Sequence, residues 1–184
     1  MSKALVVYGT RTGTAAITAQ EIAQTLQKHG IEAKVLNAKK EKIQSIAEYD
    51  LIVVGSGIQM GRWTDEPENF VKKFQKDLAA KKVALFVNCG SAAEKLNSEK
   101  PEIAANAKRK YLEEKASKYN LNCSSLGFFG AIYNFNTMSW IMKKGMENER
   151  PKLAASYKET EAGVYDTRDI EAIQKWVEEL AIEI

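Results

Sequence analysis

With 184 residues the chain is long enough to bury the core of one α/β domain and too short for two ordinary ones. Its 45% apolar and 28% charged content is that of a globular protein in water, and no apolar run approaches the roughly 18 residues a membrane span requires. The net charge of +3 is modest, and its basic residues lie scattered among acidic neighbours rather than in a stripe, which argues against nucleic acid as a partner.

Met1-Ser2-Lys3 leads straight into an apolar, β-branched run, Ala4-Leu5-Val6-Val7-Tyr8, that reads as a buried parallel strand. This leaves no room for a signal peptide, so a cytoplasmic location is expected. A Gly/Thr-rich turn follows, then a helical pattern with Ala15, Ala19, Ile22, Ala23 and Leu26 on one face, ending at Gly30. The single histidine, His29, falls beside that cap and reads as a surface residue. With one histidine there is no metal-ligand cluster, so no metal is expected. Ile31 to Leu36 alternates as a second strand, and a short helical piece is expected around Ile43 to Glu48. Leu51 to Gly55 is a third strand, and the loop Ser56 to Asp65 leads to a helix with Pro67 in its first turn and Phe70, Val71, Phe74 and Leu78 inside. Val83 to Val87 is the fourth strand. After Asn88-Cys89-Gly90-Ser91-Ala92 comes a charged helix near Pro101 to Tyr119, with Ile103, Ala107 and Tyr111 as its inner stripe. Ser124 to Ala131 is the fifth strand, and Asp169 to Ile184 the last helix, with Ile170, Ile173, Val177, Leu180 and Ile184 inward. Cys89 and Cys123 fall at opposite ends of their strands, which argues against a disulfide. Strands alternating with helices predict a parallel, right-handed doubly wound sheet.

The turn after the first strand carries the first chemical signal. Amides at a helix start, the helix dipole and the hydroxyls of Thr10, Thr12 and Thr14 together suit a phosphate. No Lys follows Gly13 as in a P-loop, and the glycine spacing is not that of a dinucleotide fold. An ordinary strand-to-helix turn that binds nothing is the bland alternative.

Val6, Tyr8, Thr10, Gly13, Ala19 and Ile22 fall on the FMN signature of the flavodoxins, which the chain resembles; Ala15 departs, because that family usually has Thr there. The resemblance implies a flavodoxin-like three-layer sandwich, a five-stranded parallel sheet in order 2-1-3-4-5, in a single domain over 1–184. FMN would sit outside the carboxyl ends of the strands, where the glycine-bearing loops gather. The implied cofactor-binding residues are Thr10, Arg11, Thr12, Gly13, Thr14 and Ala15 in the first loop. Ser56, Gly57, Ile58, Gln59, Met60, Gly61, Arg62 and Trp63 follow in the second, and Asn88, Cys89, Gly90 and Ser91 in the third. Met60 stands where that family usually has an aromatic residue, which leaves Trp63 as the candidate to stack. Arg62 replaces the acid common in the electron carriers, and a guanidinium there would raise the flavin potential. Catalysis would belong to the flavin, so no catalytic side chain is assigned, and Cys89 reads as a small buried side chain.

Approximately residues 132–166 are longer than a simple strand-to-helix connection. They interleave Tyr133, Phe135, Trp140, Ile141, Met142 and Met146 with Lys143, Lys144 and Arg150. Such a segment can reach over the crevice, pack on the body, or make a homodimer contact. Together with Thr10-Arg11 and the stretch Gly55 to Phe74, the segment Gly130 to Asp169 resembles the menaquinone-dependent protoporphyrinogen oxidases of the flavodoxin-like class. That resemblance implies a large apolar substrate, a quinone as acceptor, and peripheral contact with the inner face of a membrane through Trp140, Met142, Lys143 and Lys144. Three readings stay open: an FMN electron carrier for redox proteins, an FMN-dependent oxidase of a small molecule, and a cofactor-free interaction module.

Overall fold

A computed structural model describes all 184 residues. In chain order the body comprises β1 (Lys3–Gly9), α1 (Thr14–Lys28), β2 (Glu32–Asn37), β3 (Leu51–Gln59), β4 (Arg62–Trp63), α2 (Asp65–Leu78) and β5 (Lys82–Asn88). It continues with α3 (Glu94–Asn97), α4 (Pro101–Lys108), α5 (Glu114–Lys118) and β6 (Cys123–Phe129). An insertion follows: β7 (Ile132–Asn134), α6 (Trp140–Gly145), α7 (Arg150–Ser156), β8 (Glu159–Glu161) and β9 (Val164–Asp166); α8 (Ile170–Ile182) closes the chain.

The main sheet runs β2-β1-β3-β5-β6, all parallel, with β4 folded back on β3. Counting the five parallel strands alone, this is the 2-1-3-4-5 order expected. Alternation along each strand sorts the core into two layers. Leu5, Val7, Ile52, Val54, Leu85 and Val87 face α2 and the α4–α5 segment, where Val71, Phe74, Leu78 and Leu112 meet them. Val6, Val53, Ala84 and Phe86 face α1 and α8 on the other side, against Ala19, Ile22, Leu26, Ile173 and Val177. Trp176, absent from the expected stripe, is also buried here, edge-on to Phe129 with ring centroids 5.4 Å apart.

Three expectations are corrected. Ile43 to Glu48 forms no helix. The Asn37 side-chain oxygen accepts from the Lys39 and Lys40 amides and turns the chain. The carbonyls of Ile43 and Ala47 are then taken by the Lys73 and Lys81 ammonium groups, leaving Ile46 and Tyr49 buried in irregular backbone. The segment Ser56 to Asp65 is not an open loop: β3 continues to Gln59 and pairs with β4, Ile58 opposite Trp63 and Gln59 opposite Arg62. The helix near 101–119 is interrupted by a π turn, Arg109–Glu113. One extra residue in that turn rotates the face that follows, so Leu112 is buried where Tyr111 was expected; Ile103, ahead of the turn, is exposed.

The insertion makes its own three-stranded antiparallel sheet, β7-β9-β8, over a small core of Phe135, Leu153 and Tyr165. Its neck is tightly bonded. The Thr167 hydroxyl accepts from the Ala131 amide at 3.0 Å and donates to the Ala131 carbonyl at 2.9 Å. Arg168, nearly buried, grips Asp166 with Nη2 2.6 Å from Oδ2 and donates from Nη1 to the Thr18 hydroxyl on α1.

Candidate functional site

The carboxyl ends of β1, β3 and β5 bring three turns to one rim. At the first, Gly13 takes the left-handed conformation (φ 94°) that lets the chain turn from β1 into α1. Its amide donates to the Thr10 hydroxyl at 2.9 Å, and its carbonyl receives the Ala16 and Ile17 amides. The amides of Thr12, Thr14 and Ala15 find no acceptor within the chain, and the first turn of α1 carries no acid. That is the positive end of a fifteen-residue helix left open toward an anion. The Thr14 hydroxyl accepts from the Ile132 amide at 3.2 Å, so the insertion's first residue is tied to this turn while the hydroxyl proton stays free to donate. Ala15 is fully buried, its methyl packed in the core. Arg11 pairs with Glu66 at 2.8 Å. Burial pushes the Glu66 carboxyl upward, but the bond from Arg11 together with those from its own amide and Thr64 outweighs it, and the group sits below its ordinary range.

At the second turn Met60 and Gly61 both have positive φ (50° and 73°), the type I′ arrangement that matches the twist of a two-residue hairpin. Glycine adopts it freely, whereas Met60 is strained there, and its side chain is 93% exposed at the tip. Ser56 is buried; its hydroxyl accepts from the Thr64 amide at 2.9 Å and fixes the root of the hairpin. The expectation that Trp63 offers a ring face to a ligand is not met. It is 2% exposed, its indole donates to the Tyr111 carbonyl at 2.9 Å, and Lys115 lies over its ring. Between the first two turns is a hollow of about 50 Å³ lined by Arg11, Gln59, Met60, Arg62 and Thr64. This has room for a side group and not for a fused ring system.

The third turn rests on Asn88, which is 3% exposed. Its Nδ2 donates to the Gly130 carbonyl at 2.8 Å, whereas its Oδ1 is buried with no donor. Burial pushes the Cys89 thiol up to about 11, so it is protonated near neutral pH and a poor nucleophile. Gly90 and Ser91 lie in a short 3-10 turn whose carbonyls accept from the Asn97 amide group.

Two residues at this rim were not foreseen as site residues. The Tyr133 hydroxyl occupies the place where a side chain at position 90 would be, so a Cβ there would require the tyrosine to shift. Burial first, then the neighbouring Cys89, pushes that phenol to about 12 and keeps it protonated. Tyr111 reaches from the π turn to 3.8 Å from a Cβ placed on Gly61, beside the Lys110 ammonium at 3.6 Å. No local pattern marks either tyrosine: one depends on an irregular turn, the other on where the insertion folds.

Comparison with known proteins bears on this rim. Residues 5–149 match the model of the flavodoxin domain family. The protoporphyrinogen IX dehydrogenase [quinone] of Escherichia coli K12 is 30% identical over 110 residues, which is 60% of this chain and 60% of that relative's length. Among solved structures, a short-chain flavodoxin associated with a bacterial microcompartment superposes over 100% of this chain and 99% of its own, with TM-score 0.60 and 15% identity. A Fusobacterium nucleatum flavodoxin bound to flavin mononucleotide does so over 100% and 99%, with TM-score 0.55 and 17% identity. At these identities the two structures speak for the fold alone, whereas the family model covers well over half of the sequence. The chain belongs to the flavodoxin domain family.

Proposed function

We propose that this chain binds FMN on the rim formed by its three turns and transfers electrons through the flavin. The observation that carries the reading is the unfilled set of amides at Thr12, Thr14 and Ala15 at the start of α1, with no carboxylate in that turn. Membership of the flavodoxin domain family supports the choice of FMN over another phosphate ligand. Thr10, Thr12, Thr14 and Ala15 hold the phosphate on the turn that Gly13 shapes, with Arg11 adding charge although it is shared with Glu66. The donorless Oδ1 of Asn88 suits a polyol hydroxyl, which would satisfy a buried acceptor that otherwise lowers stability. Ser56 and Gly57 form the floor beside it, with Ile58 and Gln59 leading to the tip. Met60, Gly61 and Arg62 flank the ring on one side, and Cys89, Gly90 and Ser91 on the other.

When bound, FMN supplies one- and two-electron chemistry at its ring. The protein's part is to position and to tune. Gly61 lets a peptide reorient at the hairpin tip without steric penalty, and the exposed guanidinium of Arg62 favours added negative charge on a neighbouring group. Cys89, buried as a thiol, would line the flavin site without taking electrons itself.

The partner is a redox protein or a quinone. Oxidation of a porphyrinogen with transfer to a quinone is the second reading, favoured by the E. coli relative and by the ordered insertion beside the rim. Protein incubated with FMN and gel-filtered should elute yellow, bleach with dithionite and regain colour with a naphthoquinone. Elution of colourless protein from excess FMN would end the reading. Anaerobic oxidation of protoporphyrinogen IX coupled to quinone reduction would select the second form, and its absence with a competent flavin would leave the carrier.

A further inference from the structure

Both ends of the insertion are tied to α1. On entry, the Ile132 amide donates to the Thr14 hydroxyl at 3.2 Å; on exit, Arg168 Nη1 donates to the Thr18 hydroxyl at 3.3 Å. Thr14 and Thr18 lie one turn apart on the same face of the helix. The two contacts belong to one bonded unit, because Ile132 pairs opposite Asp166 across β7 and β9, and Asp166 grips Arg168 at 2.6 Å. The next residue reaches another turn of the rim: Tyr133 places its hydroxyl at Gly90. Adjacent residues at the start of the insertion therefore touch two of the three turns.

Thr14 is 3% exposed, and a hydroxyl so buried needs partners for its oxygen and for its proton. Ile132 supplies the donor, whereas no acceptor within the chain takes the proton. This orphaned donor lies in the turn where the amides of Thr12, Thr14 and Ala15 also lack acceptors. A threonine in a helix divides between two rotamers, and the Ile132 amide selects the one seen. It also polarises the hydroxyl, which makes the remaining proton a stronger donor toward negative charge. We infer that Ile132 is a positioning residue for the phosphate: its amide holds the Thr14 hydroxyl as a ready donor, so phosphate binding and docking of the insertion on α1 strengthen each other. The inference rests on the redox reading for the identity of the ligand, FMN, and deepens it by making the insertion part of the phosphate site. Such coupling is reciprocal, so the phosphate should in turn tighten the insertion.

The test compares FMN and riboflavin affinities, read by quenching of flavin fluorescence, in variants that remove one end of the bond. Ile132→Pro deletes the amide proton; it should lower FMN affinity about fivefold and leave riboflavin affinity at the parent's value. Thr14→Val removes the hydroxyl and should lower FMN affinity roughly tenfold, and Thr14→Ser should recover most of that loss. In the Thr14→Val background, Ile132→Pro should cost nothing further. A purely structural role would instead weaken both flavins alike. Thermal melting checks that each variant is folded. Hydrogen exchange on the parent protein needs no variant and decides the matter if Ile132→Pro does not fold: at equal occupancy, FMN should slow exchange across 132–166 more than riboflavin does. An unchanged ratio of FMN to riboflavin affinity in Ile132→Pro, the same loss in both backgrounds, or equal protection by the two flavins would overturn the inference. Parent protein that binds neither flavin would end the redox reading and the inference with it, whereas a parent that prefers FMN and gives any of those results loses the inference alone.

Discussion

The parallel-sheet body and the insertion between Ile132 and Asp166 hold their shapes by different means. In the body, two apolar layers sandwich a sheet whose central strands are buried on both faces, and stability is shared among dozens of side chains. In the insertion, a cluster of three buried residues supports three short strands, and a bonded neck at Ala131, Thr167 and Arg168 does the rest. The body can therefore carry a rigid rim, while the insertion can present exposed apolar groups that no core would tolerate.

The strongest way to break this contrast is to open a cavity in each part. Phe86→Ala removes a fully buried ring from the body and should cost about 3–5 kcal/mol, lowering the whole-chain urea midpoint. Leu153→Ala also removes a fully buried side chain, but its effect should stay local. Hydrogen exchange should rise across 132–166 while amides of β3 and β5 keep their protection. If Leu153→Ala lowered the global midpoint as far as Phe86→Ala does, the two parts would be one cooperative unit.

Glu68 on α2 sharpens the comparison from the body's side, for it is bonded by Tyr119, Lys118 and Lys115. Burial alone would raise its carboxyl; those bonds outweigh it and bring it from 4.5 down to about 2. A depressed folded pKa gives stability that is full above the unfolded value and lost as pH falls through the folded one. Acid titration should therefore erode stability between pH 4.5 and about 2. Glu68→Gln should lower stability at neutral pH by about 1–3 kcal/mol and flatten that part of the curve.

The contact between the two parts is tested at Gly90. A methyl there meets the Tyr133 hydroxyl, so Gly90→Ala should cost about 1–3 kcal/mol. In a Tyr133→Phe background the nearest atom retreats to the ring carbon at 3.5 Å, and most of that cost should vanish in a double-mutant cycle. The smallest effect belongs to the hairpin tip. Met60→Asn places a residue tolerant of positive φ in the type I′ turn and should stabilise by about 0.5 kcal/mol in a thermal melt.

Legibility in the sequence followed the same divide. The apolar runs of β1, β3 and β5 and the face of α1 are readable because local pattern and burial agree there, and so is the turn at Gly13 that leads into α1. What failed depends on distant partners. Lys73 on α2 and Lys81 just beyond it take the carbonyls of Ile43 and Ala47 where a helix was expected, a π turn exchanges Tyr111 for Leu112, and the Tyr111 carbonyl draws Trp63 into the core. Tyr133 joined the rim only because the insertion folds back on Gly90. Residue types in that segment were visible in sequence, whereas its antiparallel sheet was not, since strands of three residues carry little alternation to read.

The central claim is that the first turn is built for the phosphate of FMN. Parallel titrations of the protein into FMN and into riboflavin, followed by quenching of flavin fluorescence, test it most directly. The free amides and hydroxyls at Thr10 to Ala15 predict that FMN binds more tightly than riboflavin by roughly a hundredfold, the worth of two charge-assisted hydrogen bonds. Equal affinities, or fluorescence unchanged by excess protein, would contradict it.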